Sequence, residues 1–396
     1  MLHPYTPQTS APARGEGAPL IALLLLFLAA LTSPAFAQSS WSNVARVVVI
    51  GDLHGDYPKF EDMIRSAGLV DARGDWVGGQ THLVQLGDVP DRGPDTRRIL
   101  DHLMRLERQA EHAGGRVHAL IGNHEGMMML GDLRYTVAGE FAAFADRRSA
   151  NRRDAYYRRV VQYLRAQKSK EPPPAFDAAY RAQFDAAHPL GWVELRAAWS
   201  KSGAYGRFTL SHNAVIRIDD TLYLHGGIGP AYAASDPDTI NRGVRAALEA
   251  ENEADPVLSE AGPLWYRGLA MNEEAAETPN LQAVLAHYGV SRIVVGHTKR
   301  APTILPRFGG RVILTDVLVP SGAADPHAYL VKEGAALFTV HRGTRVPLTG
   351  DTCAYLGAIA ALDPQPSPVA PLRSGCPGAP PSPAPAAAPG ETDRPR

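Results

Sequence analysis

The chain has 396 residues, 45% hydrophobic and 20% charged, with 37 Gly and 33 Pro. That composition excludes a wholly disordered, collagenous or membrane-embedded protein. Forty Lys+Arg against 41 Asp+Glu leave a formal net charge of -1, which gives no general attraction to nucleic acid or an anionic membrane. Only 2 Cys are present, so neither a disulfide scaffold nor a cysteine-ligated metal site is available.

The N-terminus carries Arg14, an apolar run over 19–31, then Pro34-Ala35-Phe36-Ala37-Gln38. A cationic start, a short apolar core and a small-x-small end read as a secretory signal peptide over 1–37. The core is too short for a comfortable membrane span; an uncleaved anchor is the competing reading. Cleavage is expected after Ala37, giving a periplasmic or secreted protein without stable membrane insertion.

Residues 46–50, Arg-Val-Val-Val-Ile, read as a buried strand. A helix is expected over 58–67, with Phe60, Met63, Ile64 and Ala67 at helical spacing and Gly68 to stop it. Strands at 82–86 and 117–121 flank a helix over 95–113 whose apolar face is Ile99, Leu100, Leu103 and Leu106. This β-α-β-α-β opening implies parallel strands with right-handed crossovers.

Residues 132–202 form a polar helical stretch, broken at Glu171-Pro172-Pro173-Pro174. Its arginines (Arg147, Arg148, Arg152, Arg153, Arg158, Arg159) are interleaved with Asp146 and Asp154. A solvated face explains this better than an anion-binding surface. Hairpin signals occur at 214–224, around Asp219-Asp220, and at 328–340, around Glu333-Gly334. The expected fold is α/β, with two facing mixed sheets, helices outside and a helical cap insertion. The main domain is expected over 44–345. From Asp363 the Pro/Ala-rich chain is read as a disordered tail over 363–396. In an oxidising compartment Cys353 and Cys376 can pair, tethering that tail.

Five segments stand at the ends of expected strands. They are Gly51-Asp52-Leu53-His54-Gly55, Gly87-Asp88-Val89-Pro90-Asp91-Arg92-Gly93, Gly122-Asn123-His124-Glu125, Leu224-His225-Gly226-Gly227 and Gly296-His297-Thr298. Singly, each has a bland reading as a turn or a structural histidine. Together they bring carboxylate, amide and imidazole groups to the crevice where open α/β sheets build sites. Such mixed ligands suit a pair of divalent cations, with manganese expected and iron or zinc as alternatives. Two cations about 3.5–4 Å apart clamp a phosphoryl group for in-line attack. Arg92 supplies a planar fork for phosphate oxygens.

As a set, these blocks resemble the calcineurin-like metallophosphoesterases, in the phosphoprotein phosphatase branch, and within it most resemble the Shewanella-like protein phosphatases. The resemblance spans 44–340. The Asp91-Arg92-Gly93 extension and Lys299, in place of a second ligand histidine, favour that branch. The segment Pro263-Leu264-Trp265-Tyr266-Arg267-Gly268 resembles the one supplying a second phosphate-binding arginine.

The resemblance implies a metallophosphoesterase αββα sandwich and two metals. One would take Asp52, His54 and Asp88; the other would take Asp88, Asn123, His225 and His297, with Asp88 bridging. It also implies direct attack by a metal-bridging hydroxide. His124 would protonate the leaving oxygen, oriented by Asp91, while Arg92 and Arg267 hold the phosphoryl oxygens. The implied substrate is a phosphorylated protein or peptide, at Ser/Thr or Tyr. The alternatives are a small-molecule or nucleotide phosphatase, dinucleoside polyphosphates included, and a non-catalytic binding module. The long 132–202 stretch departs from compact phosphatases and is expected to cap the site.

Overall fold

The computed structural model describes residues 38–167 and 173–377. The expected signal peptide and the chain beyond 377 lie outside the described residues. Among the described residues no helix is long and apolar enough to cross a membrane.

Two six-stranded mixed sheets form the centre. The first runs in the order β12 (Thr344–Pro347), β11 (Ala336–His341), β10 (Tyr329–Glu333), β2 (Arg46–Ile50), β3 (His82–Gln85), β4 (Arg116–Ala119). β2, β3 and β4 are parallel, in the register Val47↔His82 and His82↔Arg116, while β10 to β12 are antiparallel. The second runs β1 (Ser40–Trp41), β5 (Val215–Ile218), β6 (Thr221–Leu224), β7 (Arg292–Val295), β9 (Val312–Leu314), β8 (Leu305–Arg307). Within it β6, β7 and β9 are parallel.

The side-chain period of two decides which residues go where. Val47 and Val49 point between the sheets, meeting Ile216, Tyr223, Val294 and Ile313. Val48 and Ile50 point outward to Phe60, Met63 and Ile64 of α1 (Tyr57–Ser66) and Ile99 and Leu103 of α2 (Thr96–His112). Both faces of β2 are thus buried, so its sequence is a continuous apolar run rather than an alternating one.

The polar stretch lies beyond α3 (Asn123–Leu130). It holds α4 (Ala138–Phe144), α5 (Ser149–Ala166), α6 (Ala178–Ala187), α7 (Trp192–Trp199) and α8 (Ala204–Leu210). In α5 only Ser149 is buried. Arg152 pairs with Asp146 and Glu194, Arg153 with Asp185, and Asp154 with Arg181. These arginines line a solvated, ion-paired helix face. Outside the second sheet lie α9 (Pro237–Glu249), the short α10 (Gly268–Met271) and α11 (Glu274–Tyr288).

The C-terminal part differs from expectation, because order runs past both Arg345 and Asp363. α12 (Thr352–Leu362) packs Tyr355, Leu356 and Ile359 with Val346 of β12 and with Val369. The buried Asp363 carboxylate accepts from His341 Nε2 (2.8 Å), Arg342 Nε (3.0 Å) and Ser367 Oγ (2.8 Å). Cys353 is bonded to Cys376, closing the segment onto α12. Satisfied buried polar groups and a covalent loop fix a stretch whose composition alone promises none of this.

Candidate active site

Asp52 and His54 lie just past β2, Asp88 just past β3, and Asn123 with His124 open α3 after β4. His225 lies at the end of β6 and His297 at the end of β7. All are C-terminal ends of strands in the parallel parts of the two sheets, so the crossovers bring them to one crevice. His54 (φ 47°), Asp88 (58°), Asp91 (72°), Arg92 (66°) and His297 (66°) sit in the left-handed backbone region without being glycine. Such conformations persist only where surroundings over-determine them. Here the buried Glu125 carboxylate accepts the N–H groups of Asp88 (2.9 Å), Val89 (2.8 Å) and Gly122 (2.8 Å). A Cβ at Gly122 would lie 2.5 Å from Asp88 Oδ1, so the two strand ends meet only because that residue is glycine.

Three imidazoles are oriented by backbone carbonyls. A carbonyl cannot donate, so the facing ring nitrogen carries the hydrogen and the other keeps its lone pair. His54 Nδ1 donates to Pro90 O (3.1 Å), His225 Nδ1 to Leu86 O (2.9 Å) and His297 Nε2 to Trp265 O (3.2 Å). The freed His225 Nε2 then faces Asn123 Oδ1 (2.8 Å), His297 Nδ1 (3.1 Å) and Asp88 Oδ1 (3.2 Å). Four lone-pair donors converge with no hydrogen to share among them in neutral form, a set that a cation fits. The freed His54 Nε2 lies 3.5 Å from Asp52 Oδ2 and 3.9 Å from Asp88 Oδ2. Asp88 thus turns one oxygen to each cluster.

The electrostatics agree with this geometry. Burial opposes charge on His225, but Asp88 and Asp52 outweigh it and push the imidazole to about 10. Burial, with His225 beside it, drops His297 to about 3. Burial resists ionisation of Asp88, yet His225 holds it at about 2. A buried positive charge is demanded between them, and a divalent cation would supply it.

His124 differs from these three. Its Nδ1 meets a carboxylate, Asp91 Oδ2, at 2.6 Å, and its Nε2 lies 3.7 Å from Asp88 Oδ2. By distance alone His54, Asp88 and His124 form a candidate metal group among the described residues, as do Asp88, His225 and His297. Burial works against the imidazolium, but the Asp91 bond and the Asp88 charge raise the His124 pKa. A protonated ring is a proton donor and not a ligand.

Arg92 spans the mouth, with Nη1 3.2 Å from His54 Nε2 and Nη2 3.3 Å from His124 Nε2. Arg267 Nη1 donates to His297 O and Thr298 Oγ1, both at 3.0 Å. Partial burial lowers its pKa against the pull of the Asp52 and Asp88 carboxylates. Beside Asn123 a cleft of about 620 Å³ runs over Met127, Leu130 and Trp265 toward Asp132, Glu253 and Glu260.

Sequence reasoning missed Asp316, which lies just past β9 and accepts the Asp52 N–H at 2.8 Å. It is buried, its Oδ2 has no hydrogen-bond partner, and burial beside Asp52 raises its pKa well above the usual range. A Cβ at Gly51 would lie 2.2 Å from Asp316 Oδ1. Its strand-end position was the available signal, but no glycine or histidine flags it. Glu125 stands in the Gly-Asn-His-Glu segment, where the sequence suggests no role for it, and Tyr135, Thr136 and Glu140 carry no local signature.

Two packed mixed sheets flanked by helices, with this donor set at their strand ends, define a metallophosphoesterase sandwich. Residues 45–301 match the calcineurin-like phosphoesterases, and the chain belongs to that family. It is 33% identical to an uncharacterized protein of Schizosaccharomyces pombe over 72% of this chain and 76% of that one. It is 31% identical to Shewanella-like protein phosphatase 2 of Arabidopsis thaliana, over 73% and 75%. The crystal structure of the cold-active protein-tyrosine phosphatase of a psychrophilic Shewanella species superposes with a TM-score of 0.58. That pair shares 28% identity, covering 80% of this chain and 85% of the other.

Proposed function

We propose that the chain is a metal-dependent phosphomonoesterase acting on phosphorylated protein or peptide at Ser/Thr or Tyr. The observation that carries this is the Asp91–His124 pair, with His124 Nδ1 held by Asp91 Oδ2 at 2.6 Å and Nε2 turned toward Asp88 Oδ2 at 3.7 Å. The proposed ligand sets are Asp52, His54 and Asp88, and Asp88, Asn123, His225 and His297, with manganese first and iron or zinc as alternatives. Two divalent cations, when bound, supply positive charge at the phosphoryl group and make water a competent nucleophile near neutral pH.

The side chains do the rest. His124, kept protonated by Asp91, delivers a proton to the leaving oxygen. Arg92 and Arg267 hold the non-bridging oxygens as charge builds on them. The cleft of about 620 Å³ beside Asn123, lined by Met127, Leu130, Leu264 and Trp265 together with Asp132, Arg134, Glu253 and Glu260, supports a peptide by offering apolar and polar surface next to a proposed ligand. The solved tyrosine phosphatase and the Shewanella-like relatives support a protein substrate.

Export with cleavage after Ala37 belongs to the same proposal, and the Cys353–Cys376 bond fits an oxidising compartment. The test is a panel assay. Mature protein loaded with manganese is given phosphotyrosine, phosphoserine and phosphothreonine peptides and a dinucleoside polyphosphate. Turnover of the nucleotide alone would replace the phosphoprotein reading. Mass spectrometry of exported protein should find Gln38 first; Met1 retained on membrane-bound protein would defeat the export reading.

A further inference from the structure

We propose that the segment running from Tyr135 to Glu140 is a brace for the acid and phosphate-binding groups, with Thr136 the positioning residue for the Asp91–His124 pair. This deepens the phosphomonoesterase reading and rests on it. Asp91 and Arg92 are consecutive non-glycine residues in left-handed conformation, a turn with little local reason to hold. Gly131, itself left-handed at φ 89°, ends α3 and sends the chain back toward the helix start that carries His124. The returning chain then contacts both that turn and that ring.

The Arg92 N–H donates to Tyr135 O at 3.0 Å. The Tyr135 ring lies 5.2 Å from Arg92 Cζ and its centroid 5.2 Å from that of His124, so one aromatic face touches both groups. Thr136 Oγ1 donates to Asp91 Oδ1 at 2.7 Å. The Asp91 N–H points to Glu140 Oε1 at 3.4 Å.

The Thr136 bond has a geometric consequence. A carboxylate rotates broadly about its last torsion, and His124 occupies only Oδ2. Thr136 occupies the other oxygen, so the plane of the group is fixed from both sides. Asp91 is fully buried, so water does not replace a missing donor. The acid would then lose aim rather than chemistry when Thr136 is removed. Tyr135 acts separately, on the guanidinium, and so on phosphate binding.

The test compares T136V, T136S and Y135A on an alkyl ester, a phosphoserine peptide, and on p-nitrophenyl phosphate. T136V should cut kcat on the alkyl ester about tenfold, a fraction of the full contribution of a general acid. On the aryl ester, whose leaving group needs little protonation, the loss should stay under about threefold. KM and metal content should not change, and T136S should restore kcat. Equal losses on both esters, no loss, or T136S as impaired as T136V would overturn the positioning role.

Tyr135 is partly exposed, so Y135A should fold even if T136V does not. It should raise KM and weaken inhibition by inorganic phosphate; unchanged phosphate inhibition overturns the brace. Wild-type protein inactive on both esters overturns the phosphomonoesterase reading and the brace with it. An active wild type with the wrong variant pattern overturns the brace alone.

Discussion

His225 Nε2 lies 3.2 Å from Asp88 Oδ1, and neither side chain reaches solvent. The other Asp88 oxygen faces His54 and His124. One carboxylate therefore presents an oxygen to each of the two clusters.

Asp88→Asn should cost both metals, because a neutral amide offsets charge on neither side. Elemental analysis of purified protein should fall well below stoichiometric metal, and activity should drop by more than about tenfold, consistent with removal of the charge stabilisation that cations supply. Two metals per chain with activity within that range would remove Asp88 from the centre.

His124→Asn should leave the metal content unchanged. The lost proton delivery should lower kcat by roughly 10²–10⁴-fold. An alkyl phosphate should lose more than an aryl phosphate, whose leaving group is already stable as an anion. An equal loss on both classes would argue against the acid role and for a ligand role.

The strand-end blocks were legible in the sequence because a buried parallel strand is an unbroken apolar run, and the residues just past its end open onto the crevice. The run Val47 to Ile50 and the polar groups of Gly51-Asp52-Leu53-His54 stand in that relation. Asp316 was not legible, since it ends its strand without a glycine or histidine beside it. Thr136 and Tyr135 reach Asp91 and Arg92 only after Gly131 reverses the chain, a tertiary event with no periodic signature. The order beyond Asp363 was hidden for a related reason: composition reports average apolarity, whereas that segment is held by three donors on one carboxylate and by a disulfide.

Arg267→Ala should raise KM for phosphate monoesters and weaken product inhibition by phosphate. Its Nη1 is anchored on His297 O and Thr298 Oγ1, which fixes the guanidinium beside a proposed ligand. A single lost charge-assisted contact corresponds to about tenfold to a hundredfold in affinity. Phosphate inhibition measured at constant ionic strength decides it; an unchanged constant would place Arg267 outside the phosphate site.

Stability should depend on pH through Glu140, which is fully buried beside Asp91 and whose Oε2 has no hydrogen-bond partner. Burial, with the Asp91 charge nearby, pushes its carboxyl from 4.5 up to about 7. A folded-state pKa above the unfolded one means that the folded protein binds the proton more tightly. The associated stability is fully present below pH 4.5 and is lost as pH rises through about 7. At about 1.4 kcal/mol per pKa unit, the full span amounts to roughly 3–4 kcal/mol. Glu140→Gln keeps the shape and the acceptor for the Asp91 N–H but cannot ionise. The variant should therefore lose less stability than wild type between pH 4.5 and 7, and should be the more stable of the two above pH 7. Denaturant midpoints for both proteins, measured across that window in one buffer system, check the sign. Parallel curves would mean that Glu140 is already ionised in the folded protein, with its charge tolerated beside Asp91.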